Sequence, residues 1–157
     1  MLTYVKGNLL DAKEDIIVHQ VNCMGAMASG VAKQIREKWP LVYTIYNNVV
    51  NAATIDKKQK GLLGNVLMIR VSERQWIANI FGQFNYGRSG KRYTDYDALQ
   101  NGLDHIEESA LLHHWSIALP YKIGCGLGGG DWDGVVLPIL EDIFAENNLV
   151  NAVIYQL

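Results

Sequence analysis

Five of the nine residues at 123–131, IGCGLGGGD, are glycine. Glycine lacks a Cβ, so it reaches positive φ and lets a ligand approach the backbone closely. Successive N–H groups in such a loop, joined by the positive end of a following helix, form a cradle for an anion. A tight turn alone needs fewer glycines. A second loop of similar design covers residues 22–30, where Gly25, Ala26, Ala28, Ser29 and Gly30 are small. Close packing of a helix on a sheet would explain that run equally well. If the strands before the two loops are neighbours, the loops face each other across one crevice, and two helix N-termini converge on a diphosphate.

The reactive side chains near these loops are His19, Asn22, Cys23, Cys125 and Asp131. His19 alternates with apolar residues in a buried run and reads first as a satisfied core histidine, second as a base. Cys125 lies between glycines near an expected helix N-terminus, which lowers a thiol pKa. It is either a nucleophile or a small residue tolerated in a tight loop. Asp131 suits the N-cap of the last helix, and equally a base facing phosphate or ribose. Tyr86 and Arg88 sit in a loop able to fold over a ligand. Tyr155 either stacks on a base or packs. No His/Cys set has metal-ligand spacing, so no metal site is expected. Gly124, Gly126 and Gly129 satisfy G-x-G-x-x-G, but no acidic residue follows about 20 positions on, where a dinucleotide fold needs one.

Elements must position these residues. Strands are expected at 2–5, 16–21, 66–71, 76–81, 115–119 and 150–155, with a hairpin turn at 72–75. Helices are expected at 31–38, ended by Pro40, at 41–53, and from Thr94 to about Leu112, with Thr94 and Asp97 as a capping box. Apolar residues from Trp132 to Phe144 fall at helical spacing, and Pro138 should kink that helix. Residues 82–91 read as an exposed loop. Alternating strands and helices imply a three-layer α/β/α fold around a mixed, largely parallel sheet.

The chain has 157 residues, 49% hydrophobic and 19% charged, with a net charge of −2. That size and composition predict one folded domain over residues 1–157. No basic field exists to hold a duplex, so bulk nucleic-acid binding is not expected. Apolar runs fall short of the ~20 residues that span a bilayer. Two cysteines and the lack of a signal-like start predict a cytoplasmic protein with no membrane partner.

These loops, in this order, resemble the macro domain family of ADP-ribose-binding modules. The resemblance is carried by Lys6-Gly7-Asn8-Leu9-Leu10, by residues 17–23 (IVHQVNC), by residues 27–32 (MASGVA), and by residues 118–120 (ALP) followed by 123–132 (IGCGLGGGDW). It is most similar to the branch holding ADP-ribose-1″-phosphate phosphatases and terminal ADP-ribose glycohydrolases. The resemblance implies ADP-ribose or ADP-ribose-1″-phosphate as partner, with ADP-ribosylated protein as another, and no cofactor. It places Asn8, Leu9 and Tyr155 near the adenine and Asn22 at the distal ribose. Gly25, Ser29, Gly30 and Val31 would hold phosphate from one side, and Ile123, Gly124, Cys125, Gly126, Leu127 and Gly128 from the other. The glycohydrolases of this branch use a lysine and an aspartate where this chain has Gly82/Gln83 and Gly128.

The expected activity is hydrolysis of a group on the distal ribose, with the 1″-phosphate favoured and Asp131, Asn22 or His19 in catalytic roles. A binding module without chemistry is the second expectation. A Cys125 hydrolase is the third.

Overall fold

The computed structural model describes residues 1–157. Six strands form one sheet in the order β1-β6-β5-β2-β4-β3. They are β1 (Leu2–Lys6), β2 (Ile16–Asn22), β3 (Val66–Ser72), β4 (Gln75–Gln83), β5 (Ile117–Pro120) and β6 (Ala152–Gln156). All neighbours pair in parallel except β3 with β4, the expected hairpin. The sheet is therefore mixed and largely parallel.

A central parallel strand is buried on both faces, so its sequence is a continuous apolar run. In β2, Ile16 and Val18 join one core while Ile17 and Val21 join the other. Helices α1 (Gly30–Lys38) and α2 (Pro40–Ile55) cover the second face through Ile35, Val42, Tyr46 and Val50. Helix α3 (Tyr96–His113) covers the first through Leu99, Leu103, Ile106 and Ala110. A C-terminal helix joins α3 there through Trp132, Val136, Leu140 and Phe144. The result is the expected three-layer α/β/α arrangement. No helix is long and apolar enough to cross a membrane.

Four local expectations change. Asp95, not Thr94, caps α3, its carboxylate accepting the Ala98 N–H at 3.0 Å. Thr94 instead bridges to Gln83 and is 2% exposed. Gly82 and Gln83 belong to β4 rather than to the exposed loop. Strand β5 begins at Ile117, and Trp115 before it stacks on His113 with ring centroids 4.3 Å apart. At Pro138, where a kink is expected, the C-terminal helix changes its winding. That helix runs through Trp132–Val136, Leu137–Leu140 and Glu141–Ala145, with wide π turns on both sides of the proline's α turn. The wide turns absorb the missing N–H.

Helix α3 sits close on the sheet at Gly102. A Cβ there would lie 2.4 Å from Ile80 Cγ2, a buried core methyl. In an open helix Gly→Ala gains about 1 kcal/mol. Here overpacking of about 1–3 kcal/mol opposes that gain. Gly102→Ala is therefore expected to lower the urea midpoint, and a raised midpoint would show that the helix–sheet spacing relaxes freely.

Candidate functional site

The site follows from how β2 and β5 part. They pair only at Ile16–Ile117 and Ile17–Ala118, although β2 continues to Asn22 and β5 to Pro120. From β2 the chain crosses by α1 and α2 towards β3, and from β5 it crosses by the C-terminal helix to β6. The two connections leave in opposite directions, the switch point at which α/β sheets bind ligands. A cleft of about 570 Å³ opens there, walled by residues 28–32 on one side and 120–128 on the other. Tyr86, Gly87 and Arg88 form its lip.

Both walls present backbone donors. At the start of α1, Lys33 N–H bonds Ser29 O at 3.3 Å, while the N–H groups of Gly30, Val31 and Ala32 have no partner within the chain. The Ser29 hydroxyl makes no capping bond and is free to meet a ligand. On the opposite wall the N–H groups of Gly124, Gly126, Leu127 and Gly128 are likewise unpaired. The loop is held by its other amides: Cys125 N–H to Lys122 O at 2.9 Å, and Gly129 to Gly126 O and Gly130 to Gly124 O, both at 3.0 Å. Gly128 O accepts the N–H groups of Tyr93 and Thr94 at 2.7 and 2.9 Å. That close approach dictates glycine, since a Cβ at Gly128 would lie 2.6 Å from the Thr94 hydroxyl. Seven free donors on two facing walls are the kind of arrangement that suits an anion.

The structure sorts the expected site residues. Ser29, Gly30, Val31 and residues 123–128 line the cleft, as do His19 and Asn22. Asn22 is tied into its own loop. Its Oδ1 accepts from Met24 N–H, Ala26 N–H and the Tyr46 hydroxyl, and its Nδ2 donates to Ala26 O at 2.9 Å. One Nδ2 hydrogen remains. Gly25 is not on the cleft: its N–H serves the Tyr46 hydroxyl at 3.2 Å. Asp131 is not on the cleft either. It caps the C-terminal helix, accepting the Gly134 N–H at 3.0 Å. Asn8 caps a short turn, Leu9–Asp11, through the Leu10 N–H, and Leu9 packs into the α1–α2 core. The Tyr155 hydroxyl donates to the Glu14 carboxylate at 2.8 Å. Asn8, Leu9 and Tyr155 thus lie outside the cleft wall. They gather where β1 and β6 end, and Tyr121 of the cleft donates its N–H to Tyr155 O at 2.9 Å.

The Cys125 thiol is pushed up to about 11, by burial first and by the Asp131 carboxylate second. The expected lowering by a helix N-terminus is overridden, and the thiol stays protonated at neutral pH. Its Sγ donates to Ile123 O at 3.3 Å. Burial and the nearby carboxylate thus disfavour the thiolate that a Cys125 hydrolase needs.

His19 is 1% exposed, and its Nε2 lies 2.5 Å from Asn79 Oδ1. Asn79 Nδ2 donates to Leu67 O at 2.9 Å, so Oδ1 is the acceptor and His19 carries its proton on Nε2. Its Nδ1 is left as a buried lone pair without a partner. Burial lowers its pKa to about 4, against the smaller opposing effect of the Asn79 bond.

Sequence reading missed Gln20, Gln83, Tyr121 and Lys122, all on the cleft. Gln20 was visible as a polar residue in an otherwise apolar run. Lys122 stands just before the glycine loop at φ +59°. No aspartate or glutamate lines the cleft, whose only fixed charges are the cations Arg88 and Lys122.

A histidine held below its unfolded pKa stabilises the fold above that pKa. The contribution is lost as pH falls from about 6.5 towards about 4. At full protonation about 3 kcal/mol is gone. His19→Gln should therefore flatten the acid limb of a stability–pH curve between those values, and an unaltered limb would contradict the burial of a neutral ring.

No family model matches the chain. Over 157 residues it is 29% identical to the DNA ADP-ribosyl glycohydrolase of Mycobacterium tuberculosis, a match covering 99% of this chain and 42% of that protein. The chain thus spans less than half the length of that relative. It is 24% identical to the ADP-ribose 1″-phosphate phosphatase of Aspergillus oryzae, the match covering 82% of each. Among solved structures, the macrodomain of Mycobacterium tuberculosis DarG superposes with a TM-score of 0.79 at 26% identity, covering 100% of this chain and 98% of that one.

Proposed function

We propose that this chain, which belongs to the macro domain family, binds ADP-ribose in the cleft and hydrolyses a group on its distal ribose. The observation that carries the reading is the pair of facing walls with seven unpaired backbone N–H groups. Such donors match the four non-bridging oxygens of a diphosphate and are already oriented, so binding costs little ordering. The adenosine end extends over Tyr121 towards Asn8, Leu9 and Tyr155. The distal ribose lies towards Asn22, whose remaining Nδ2 hydrogen points a donor at it.

The favoured substrate is the 1″-phosphate monoester. Arg88 and Lys122 offer a second anionic group two cations, and no carboxylate on the cleft repels it. The relatives' names cover both a phosphatase and a glycohydrolase. Gln83 and Gly128 lack the side chains for a lysine–aspartate mechanism. A second reading, binding of ADP-ribose or an ADP-ribosylated protein without turnover, is favoured by the same lack of an acid/base carboxylate. The residues fold as one domain over 1–157 and act inside the cell.

Calorimetry with ADP-ribose and phosphate release from ADP-ribose-1″-phosphate test these readings. Binding with release supports the hydrolase, binding alone supports the module, and no binding rejects both. Gly126 offers a clean control, since a Cβ there meets nothing within 4 Å. Gly126→Asp should keep its melting temperature yet weaken ADP-ribose by at least about tenfold through charge repulsion. Unchanged affinity would move the diphosphate elsewhere.

A further inference from the structure

Helix α2 runs for 16 residues without one Asp, Glu, Lys or Arg, in a chain that is 19% charged. One side of it packs on the sheet through Val42, Tyr46 and Val50. The other side faces solvent, where a surface helix ordinarily carries its charges. Here that side presents Leu41, Thr44, Asn48, Asn51 and Ile55, all exposed. Leu41 is 57% exposed and Ile55 81%, so nothing within the chain covers these two apolar side chains. The steps between the five residues are three, four, three and four, the spacing of a seam along which two helices pack.

The seam is its own complement. A two-fold axis through Asn48 sets each residue of one helix against the residue equally far from Asn48 in the other, running the opposite way. Leu41 then meets Ile55, Thr44 meets Ala52, and Asn48 meets its own copy. Both apolar ends are covered by apolar ends. A charge near the axis would meet its like, and the helix has none. Polar groups off the axis are already served: Thr44 donates its hydroxyl to Pro40 O at 3.2 Å, and Asn51 Nδ2 donates to Asn47 Oδ1 at 3.0 Å. The Asn48 amide bonds to no group of the chain. Its donor and its acceptor can therefore pair reciprocally with those of the copy across the axis. One polar pair in an otherwise uncharged seam fixes the register. Glu37 and Lys38 stand before the helix, and Asp56 and Lys57 after it, so each end of the contact carries both signs.

We propose that the outer face of α2 docks a second copy of this chain, as an antiparallel helix pair centred on Asn48. From Leu41 to Ile55 the seam is about 21 Å long at 1.5 Å per residue. One helix pair of that length falls at the small end of interface sizes, below about 1,200 Å². The dimer is accordingly weak, in the micromolar range, and each copy is folded without it because α2 already packs on its own sheet. The inference is independent of what the cleft binds.

Sedimentation equilibrium over a concentration series reads the association, and single cysteines read its geometry. Wild type should pass from monomer to dimer as its concentration rises to about 1 mM. Asn48→Asp keeps the size but sets two carboxylates against each other at the axis. It should raise the dissociation constant at least about tenfold at neutral pH and leave the melting temperature unchanged. Leu41→Cys and Ile55→Cys are then mixed under mild oxidation. The mixture should yield a disulfide-linked dimer that neither variant yields alone, while Asn48→Cys should link to itself. Wild type, which keeps Cys23 and Cys125, is the background for these reactions. A wild type that stays monomeric at about 1 mM overturns the proposal, and that measurement needs no variant. A dimer that Asn48→Asp leaves intact overturns it too, since another face would then hold the copies together. So does Leu41→Cys linking to itself as readily as to Ile55→Cys, which would make the helices parallel or shift their register.

Discussion

Parallel strands β2 and β5 share only two residue pairs before they separate, and every feature of the site depends on that parting. Two chain segments that leave a sheet in opposite directions cannot satisfy each other's backbone. Their first free amides face the gap instead. In most folds an unpaired N–H near a protein surface is merely solvated. Here seven are gathered on two walls of one cleft and are held rigidly by bonds that the other loop amides make. The glycine loop stays open because Thr94 and Tyr93 hold it by Gly128 O and Thr94 holds it again by Gly124 O.

Much of this was legible in the sequence. Continuous apolar runs gave away the buried parallel strands, and the glycine content of residues 123–131 marked the anion loop. The three layers followed from the alternation of elements. What escaped was long-range partnership. Thr94 looks like a helix cap because Asp97 follows at the right spacing, yet its hydroxyl is drawn 30 residues along the chain to Gly124, and Asp95 takes the cap. Asp131 stands at both a helix start and a glycine loop, and only the fold decides that the helix claims it. Cys125 illustrates competing effects: proximity to a helix end favours the thiolate, but burial and a nearby carboxylate win. Gln20 could not be placed from sequence, since its partners Gln83 and Thr94 lie on β4 and before α3.

Polarity in the cleft is partitioned by position. Donors of the backbone occupy the walls, and the side-chain cations Arg88 and Lys122 line the same cleft. A ligand that suits both carries the oxygens of a diphosphate. The same partition explains the lack of a lining carboxylate, which would repel the middle of such a ligand. Residues that hold the loops, among them Asn22, Tyr46 and Thr94, act mainly on the shape of the site.

Amide chemical shifts report hydrogen bonding at each N–H directly. In a two-dimensional nitrogen–proton spectrum titrated with ADP-ribose, the amides of Gly30, Val31, Ala32, Gly124, Gly126, Leu127 and Gly128 should move strongly, with those of the glycine loop shifting downfield. The β3–β4 hairpin should stay still. If the ligand binds and those seven signals do not move, backbone donors do not hold the diphosphate, and the account fails at its base.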